Sequence, residues 1–193
     1  AQAVVKSKKS PNLFLLPASQ TDEKDIIGEE DFRKVLEHYR RDYHFILIDC
    51  PAGIEQGFKN ACAGADEALV VTTPEISAIR DADRVIGLLS ARGLEASLIL
   101  NRIDFDMVRR GDMLSVEDVQ DILGIELIGV VERDESVIVA ANCGEPVVYN
   151  TKSRAGVSFS KIAARMCGEN IPLEDFGGGG FWERLGRRIG LAA

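Results

Sequence analysis

The stretch that decides the fold is Phe45-Ile46-Leu47-Ile48-Asp49-Cys50-Pro51-Ala52-Gly53, in which four apolar residues lead to a carboxylate and a Pro-Ala-Gly turn. A short apolar run of this kind is typical of a strand that is covered on both faces of a parallel sheet. Such a strand would deliver Asp49 to the carboxyl edge of the sheet, and Gly53 would let the backbone turn tightly. The stretch therefore predicts an α/β fold with a polar site at that edge.

Four further apolar runs have the same character. They are Leu13-Phe14-Leu15-Leu16, Ala68-Leu69-Val70-Val71, Leu98-Ile99-Leu100 and Leu127-Ile128-Gly129-Val130-Val131. Apolar residues at helical spacing lie between the runs. These two sets are Phe32, Val35, Leu36 and Tyr39, and Ile79, Ala82, Ile86 and Leu89. The alternation predicts βαβ units in a doubly wound, mostly parallel sheet, where ligands bind beyond the carboxyl ends of the strands.

Helix-capping patterns support this order of elements. Ser115 with Asp118 three residues later forms a capping box ahead of an apolar stripe that Gly124 can end. Ser153 predicts a second helix start, and Gly168 marks the end of that helix. Its inward-facing residues are expected to be Val157, Ile162 and Met166.

Composition and charge narrow the class of protein. The chain is 46% hydrophobic and 28% charged, as expected of an ordinary soluble domain, and its net charge of -8 argues against a nucleic-acid partner. No apolar run approaches the ~20 residues that span a bilayer. The four cysteines are Cys50, Cys62, Cys143 and Cys167. Because they are widely spaced, they predict neither a disulfide framework nor a zinc site, and a reducing cytoplasm fits best.

Asp49 and Gly53 are the first candidate site residues. A carboxylate at the end of a buried strand can bind a water molecule on Mg²⁺, and Gly53 would let the backbone amide approach a γ-phosphate. The alternative interpretation of Asp49 is a residue that caps the following turn.

Two further candidates follow later strands. Asn101-Arg102 comes after Leu98-Ile99-Leu100, and an Asn amide can both donate to and accept from a purine edge, although a simple turn Asn remains the alternative. Asp81 and Asp83 lie in a helix beyond the third strand. They are either solvated helix acids or acids that bind a partner.

The end of the chain has a different composition. Four glycines at 177–180 separate the domain from a segment that on a helix would carry apolar and basic faces. The apolar face contains Phe181, Trp182, Leu185 and Ile189, and the basic face contains Arg184, Arg187 and Arg188. With Glu183 the segment carries a charge of +2, which favours an anionic membrane surface. The alternative is a helix that docks on the domain itself.

Together these motifs closely resemble the MinD family of division-site ATPases, which are related to ParA partition proteins. The resemblance runs from about Leu13 to the C-terminus. Its motifs are Asp49-Cys50-Pro51-Ala52-Gly53-Ile54-Glu55, Thr72-Thr73-Pro74-Glu75, Arg80-Asp81-Ala82-Asp83-Arg84, Asn101-Arg102, Arg110-Gly111-Asp112-Met113-Leu114-Ser115, Gly144-Glu145-Pro146-Val147-Val148 and the amphipathic tail. Their joint occurrence is more specific than any one of them.

The resemblance implies an ATPase that dimerises around ATP and Mg²⁺, recruits a MinC-like division inhibitor to the membrane, and detaches when a MinE-like activator stimulates hydrolysis. It makes Asp49 the Walker B residue, which holds Mg²⁺ through water, and Gly53 a switch residue. Asn101, Arg102 and Asp134 would lie on the adenine side, Asp81 and Asp83 would face partners, and the tail would insert into the membrane. The implied domains are a nucleotide-binding domain at 1–173, a linker at 174–180 and a membrane helix at 181–193, in a cytoplasmic protein peripheral on the inner face of the cell membrane.

Two departures from the family pattern affect this interpretation. No G-K-G-G-V-G-K-T loop lies upstream of Leu13, and Val131-Glu132-Arg133-Asp134 replaces the usual Val-Pro-Glu-Asp. We therefore expect an N-terminally truncated chain that lacks the first strand and P-loop of its fold, is poorly stable or prone to associate, and is inactive as an ATPase alone. The alternatives are a non-enzymatic membrane adaptor, or a flagellar-number or partition ATPase of the same superfamily.

Overall fold

The computed structural model describes residues 4–17, 27–50, 53–174 and residue 176. The chain divides into two compact units, residues 1–64 and residues 65–193. The predicted α/β class is confirmed, with the parallel sheet in the second unit.

The first unit contains a two-stranded ribbon and two helices. Strand β1 (Val5–Lys6) pairs antiparallel with β2 (Phe14–Leu15), and the helices are α1 (Glu29–Tyr39) and α2 (Gln56–Gly64). The prediction that the run at 13–16 forms a strand of the parallel sheet is therefore wrong. The run lies close in sequence to β1, and a short hairpin satisfies its backbone locally.

Helices α1 and α2 pack closely on each other. Leu36, which is 7% exposed, is the buried residue of α1, and a Cβ atom on Gly64 would overlap its Cδ1. Asn60 is also buried, and its side-chain amide donates to the Ile27 carbonyl at 2.7 Å. The helical spacing predicted for α1 is confirmed, but only one of its four apolar residues is buried.

The apolar run at 45–48 does not form the predicted strand. Residues 45–50 have no regular secondary structure, and the exposed fractions are 57% for Phe45, 37% for Ile46 and 77% for Leu47. An extended segment becomes a strand only when a neighbouring backbone pairs with it, and within the described part of the first unit none does. Composition therefore identified an apolar segment but not the partner that would bury it.

The second unit is built on a parallel sheet of three strands. These are β3 (Ala68–Thr72), β4 (Ala96–Ile103) and β5 (Glu126–Glu132), in the order β3-β4-β5. Leu98 and Leu100 on one face of β4 are 0% exposed. Ile99 on the opposite face is 7% exposed and joins a second buried cluster. Both faces of the central strand are therefore covered, as the continuous apolar run predicts.

The helices of the second unit alternate with these strands. They are α3 (Ile76–Ser90), α4 (Phe105–Arg110), α5 (Val116–Leu123), α6 (Glu135–Asn142) and α7 (Arg154–Met166), with a 3₁₀ turn at Val147–Tyr149. Ser115 and Asp118 form the predicted capping box, and Gly124 ends α5 with a φ of 63°. Ser153 caps α7 as predicted, but the inward position predicted for Val157 is wrong because it is 42% exposed.

Helix α7 packs against β5 through a close contact. Ile162 is 4% exposed and joins Ile99, Val131 and Ala155 in one buried cluster. Gly129 in β5 lies beneath Ile162, where any Cβ atom would overlap the Ile162 side chain. The missing side chain at Gly129 is thus what allows the helix to approach the strand.

Candidate functional site

The edge at which β3, β4 and β5 end, here called the carboxyl edge, carries the candidates Asn101, Arg102 and Asp134. Because the strands are parallel, their last residues, Thr72, Ile103 and Glu132, meet at one side of the sheet. Thr72 is buried, and Pro74 in the loop after it is less than 2% exposed. The chain therefore leaves β3 in a fixed direction into α3.

Asn101 and Arg102 lie inside β4 rather than after it, which corrects the predicted position. Asn101 pairs with Val131 and Ile103 pairs with Glu132, so Arg102 is an extra residue at a register shift. Arg102 has a φ of 61° and is the one non-glycine residue with positive φ among those the structure describes. The sequence run contains no signal of this bulge, because bulges depend on pairing with the partner strand.

The loop after the bulge is held by local hydrogen bonds. Asp104 caps α4, and its Oδ1 accepts from the amides of Asp106 at 3.0 Å and Met107 at 3.1 Å. The Arg133 amide donates to the Ile103 carbonyl at 2.9 Å. The ends of β4 and β5 are thereby fixed to each other at the carboxyl edge.

Asp134 is the centre of a hydrogen-bond network. Its Oδ1 accepts from the Ser136 amide at 2.8 Å, and its Oδ2 accepts from the Ser153 hydroxyl at 2.8 Å and the Ala155 amide at 3.2 Å. Hydrogen bonds from Ser136 first, and then from Ser153 and Ala155, hold the pKa of Asp134 well below its usual range. The described contacts of Asp134 thus give it a structural role at the starts of α6 and α7.

Glu132 occupies the position where the resemblance described above leads one to expect proline. Its carboxylate accepts from Arg154 Nη1 at 2.8 Å, and the residue pairs with Ile103 at the end of β5. A glutamate here therefore links the end of β5 to the first residue of α7.

Asp49 and Gly53 belong to the first unit. Asp49 is exposed, and the predicted strand that would deliver it is not formed. Gly53 has a φ of 101°, a conformation that favours glycine, as expected for the turn. Burial raises the pKa of the neighbouring Cys50 thiol, and Cys62 and Asp49 add smaller effects in the same direction.

The remaining candidates lie on α3 and in the tail. Asp81 and Asp83 are exposed and flank Ala82, which is buried. They are therefore accessible, as a partner surface requires. The predicted membrane residues of the tail lie outside the described residues, and so does most of the predicted linker.

Sequence reasoning missed the connections that hold the carboxyl edge. Ser153 was expected only to cap a helix, yet it also donates to Asp134, which lies 19 residues earlier. Phe105 and Phe176 stack with ring centroids 5.7 Å apart, and Arg165 binds three backbone carbonyls. No periodic pattern signals contacts between residues so distant in sequence.

Two searches of the described residues were negative. No helix in that part of the chain is long and apolar enough to cross a membrane. The same residues contain no group of three or more His, Cys, Asp or Glu side chains arranged to hold a metal ion.

Comparison with known proteins begins with sequence. No protein-family model matches the chain. The septum site-determining protein MinD of Synechocystis is 50% identical over 177 residues, which cover 91% of this chain and 66% of that protein. MinD of Bacillus subtilis is 44% identical over 176 residues, which cover 90% of this chain and 66% of that protein. The chain thus spans about two thirds of the length of these relatives.

The chain is also similar to solved structures of MinD proteins. MinD of Aquifex aeolicus is 44% identical with a TM-score of 0.82, over 90% of this chain and 72% of that one. The MinC:MinD complex of the same organism gives 44% identity and a TM-score of 0.83, over 92% and 71%. MinD of Pyrococcus horikoshii, complexed with Mg-ADP, is 28% identical with a TM-score of 0.74, over 88% and 71%.

Proposed function

Because this chain belongs to the MinD family of septum site-determining proteins, we propose that the intact protein is an ATP-dependent regulator of division-site placement that cycles between cytoplasm and membrane. The observation that carries the proposal is the match to Aquifex MinD, with 44% identity and a TM-score of 0.82 over 90% of this chain.

The proposed ligand is ATP with Mg²⁺, as the Mg-ADP complex of a relative supports. Asn101 is half-buried at the carboxyl edge, where its amide would donate to and accept from the purine. Mg²⁺ keeps several waters and needs only one or two carboxylates besides phosphate, so the single exposed Asp49 suits it. The bound metal would neutralise phosphate charge during ATP hydrolysis, while Gly53 would let the backbone approach the γ-phosphate.

The proposed protein partners are a MinC-like division inhibitor and a MinE-like activator. A MinC:MinD complex of a relative supports the first. The surface we assign to partners is the exposed side of α3, where Asp81 and Asp83 lie between exposed Arg80 and Arg84. Mixed charge of this kind sets the specificity and rate of association. An ATP-dependent homodimer completes the proposed cycle.

The proposed membrane attachment rests on the sequence of residues 181–193. Its apolar residues and its charge of +2 suit an anionic bilayer surface, and a segment this short would bind weakly. Two tails in one dimer would bind more tightly because the second binds at high effective concentration. Attachment is therefore expected to depend on ATP.

Calorimetric titration with Mg-ATP of the protein with its P-loop present, combined with co-sedimentation on vesicles that contain phosphatidylglycerol, tests the proposal. We expect Asn101→Ala to weaken ATP binding by tenfold or more, on the order of 1.4 kcal/mol, and to reduce ATP-dependent sedimentation. Asn142→Ala, which changes an exposed Asn at the end of α6, is the matched control and should leave both unchanged.

The same experiment tests a non-enzymatic membrane adaptor, which the unformed strand before Asp49 favours. An adaptor would sediment with vesicles equally with and without Mg-ATP. That result, together with no heat of ATP binding, would overturn the ATPase proposal. The Trp182→Ser variant would abolish sedimentation in either case, because it removes an apolar residue of the tail.

A further inference from the structure

The chain reverses direction after α7. Gly168 has a φ of 86°, its amide donates to the Arg165 carbonyl at 2.9 Å, and the Glu169 amide donates to the Ala164 carbonyl at 3.0 Å. This is the hydrogen-bond pattern of a Schellman motif, in which a left-handed residue ends the helix and turns the chain back. The segment that follows, residues 168–174 and Phe176, is here called the strap.

Arg165 fastens the strap to the sheet. Its Nε donates to the Ile171 carbonyl at 2.8 Å, its Nη2 to the Pro172 carbonyl at 2.9 Å, and its Nη1 to the Ile128 carbonyl at 2.8 Å. Ile128 is the extra residue at a register shift in β5. One guanidinium therefore joins two strap carbonyls to a strand at the edge of the described sheet, where open hydrogen-bonding groups need a partner.

The strap runs back along α7 towards the carboxyl edge. Arg165 binds it at Ile171 and Pro172. Lys161, four residues or about 6 Å earlier in the helix, forms an ion pair with Glu174 farther along the strap. Phe176 then stacks on Phe105, with ring centroids 5.7 Å apart and an angle of 10° between the rings. Since Arg154 at the start of α7 pairs with Glu132 at the end of β5, this direction leads to the carboxyl edge.

Phe105 belongs to the candidate site. It is the first residue of α4, it directly follows the capping residue Asp104, and it lies four residues after Asn101. The Phe105 ring is half-buried, so its position depends on the side chains that pack against it. The aromatic contact described for Phe105 is with Phe176. Stacked aromatic pairs contribute about 0.5–1.5 kcal/mol beyond burial.

We propose that Phe176, held in place by Arg165, is a positioning residue that fixes the start of α4 and thereby the Asn101–Asp104 end of the nucleotide site. The strap thus links the nucleotide site to the chain that enters the tail. This inference rests on the proposed function for its ligand, Mg-ATP. The link is reciprocal, because a contact that favours one arrangement of the site is itself favoured when ligand binds that arrangement.

Amide hydrogen exchange on the full chain tests positioning without any nucleotide. We expect Phe176→Ala to raise the exchange rates of the Asp106 and Met107 amides, which bind the Asp104 carboxylate, by roughly threefold to tenfold. Phe176→Tyr should restore slow exchange because it keeps the ring. Leu173→Ala changes an exposed strap residue, 39% accessible, and is the matched control. Unchanged exchange in Phe176→Ala would overturn the inference.

Titration of the same variants with Mg-ATP tests the consequence for the site. Phe176→Ala should weaken ATP binding by roughly threefold to tenfold while Phe176→Tyr binds as the unchanged chain does. A purely structural role would lower the melting temperature of Phe176→Ala and leave its ATP affinity unchanged, which would overturn the inference. If the unchanged protein binds no Mg-ATP even with its P-loop present, the proposed function fails, and the exchange rates still decide whether Phe176 positions α4.

Discussion

The Ser153 hydroxyl donates to the Asp134 carboxylate at 2.8 Å, and this bond joins the starts of two helices that lie 19 residues apart in sequence. The same hydroxyl accepts from the Gly156 amide at 3.0 Å, so it caps α7 while it binds the cap of α6. Two helix ends at the carboxyl edge therefore share one hydrogen-bond network. Loss of a hydrogen bond from this network should therefore destabilise the starts of both α6 and α7.

Replacement of Asp134 by alanine should lower the free energy of unfolding by about 2 kcal/mol, because it removes a helix cap and leaves the Ser153 hydroxyl without its acceptor. Urea unfolding followed by circular dichroism measures the change. Asp121→Ala, which removes an exposed acid from α5, is the control and should stay within about 0.5 kcal/mol. Equal effects of the two substitutions would contradict a special role for Asp134.

The low pKa of Asp134 makes this contribution depend on pH. The pKa of Asp134 in the folded protein lies below its unfolded value of about 3.9. The stabilisation that the Asp134 carboxylate provides is therefore complete above about pH 5 and is lost as the pH falls towards the folded pKa. The stability difference between the unchanged chain and Asp134→Asn should thus shrink as the pH falls from about 5 to about 3. A difference that stays constant down to about pH 3 would show that the carboxylate charge adds nothing.

Gly129 and Ile162 should behave as a coupled pair. Gly129→Ala places a methyl group inside the Ile162 side chain, and we expect it to cost about 2 kcal/mol through overpacking. Ile162→Ala alone should cost about 3 kcal/mol as a cavity. In the double variant the new methyl group has room. The loss of stability in the double variant should therefore be smaller than the sum of the two single losses by about 1 kcal/mol or more. Strict additivity in urea unfolding would mean that β5 shifts away from α7 instead.

Sequence patterns predicted the second unit well because its signals are local. The runs that became β3, β4 and β5 are continuous and apolar, and the Ser115 capping box depends on residues three apart. Local chemistry of this kind acts in the same way whatever the rest of the chain does. The start of α7 at Ser153 was predictable for the same reason.

The failures involve contacts between distant residues. The sequence around Leu47 predicts a strand, but a strand forms only when a neighbouring backbone pairs with it. None of the described strands pairs with this segment. Arg102 looked like the residue after a strand, yet the register of β5 makes it a bulge within β4. The network around Asp134 and the stacking of Phe176 on Phe105 depend likewise on tertiary packing, which periodicity does not contain.

The exposed run at 45–47 should make the chain associate with itself. Leu47 is 77% exposed, so Leu47→Lys should change the free energy of unfolding by less than about 0.5 kcal/mol and reduce association measured by sedimentation velocity. Leu36→Ala is the contrasting control, because this leucine is 7% exposed and its truncation should cost about 3 kcal/mol. Association that Leu47→Lys leaves unchanged would place the contact elsewhere.

The arginine at position 102 should lower the stability of the fold and strengthen the binding of Mg-ATP. Its φ of 61° is unfavourable for a residue with a Cβ atom, so Arg102→Gly should raise the free energy of unfolding by about 0.5–1 kcal/mol. The same substitution removes the exposed guanidinium from the carboxyl edge, and we expect it to weaken Mg-ATP binding by about fivefold. Arg102→Ala is the matched control. It should weaken binding equally without adding stability, because the alanine keeps the Cβ atom in the left-handed conformation. If both variants gain stability, the cost lies in the arginine side chain and not in the backbone.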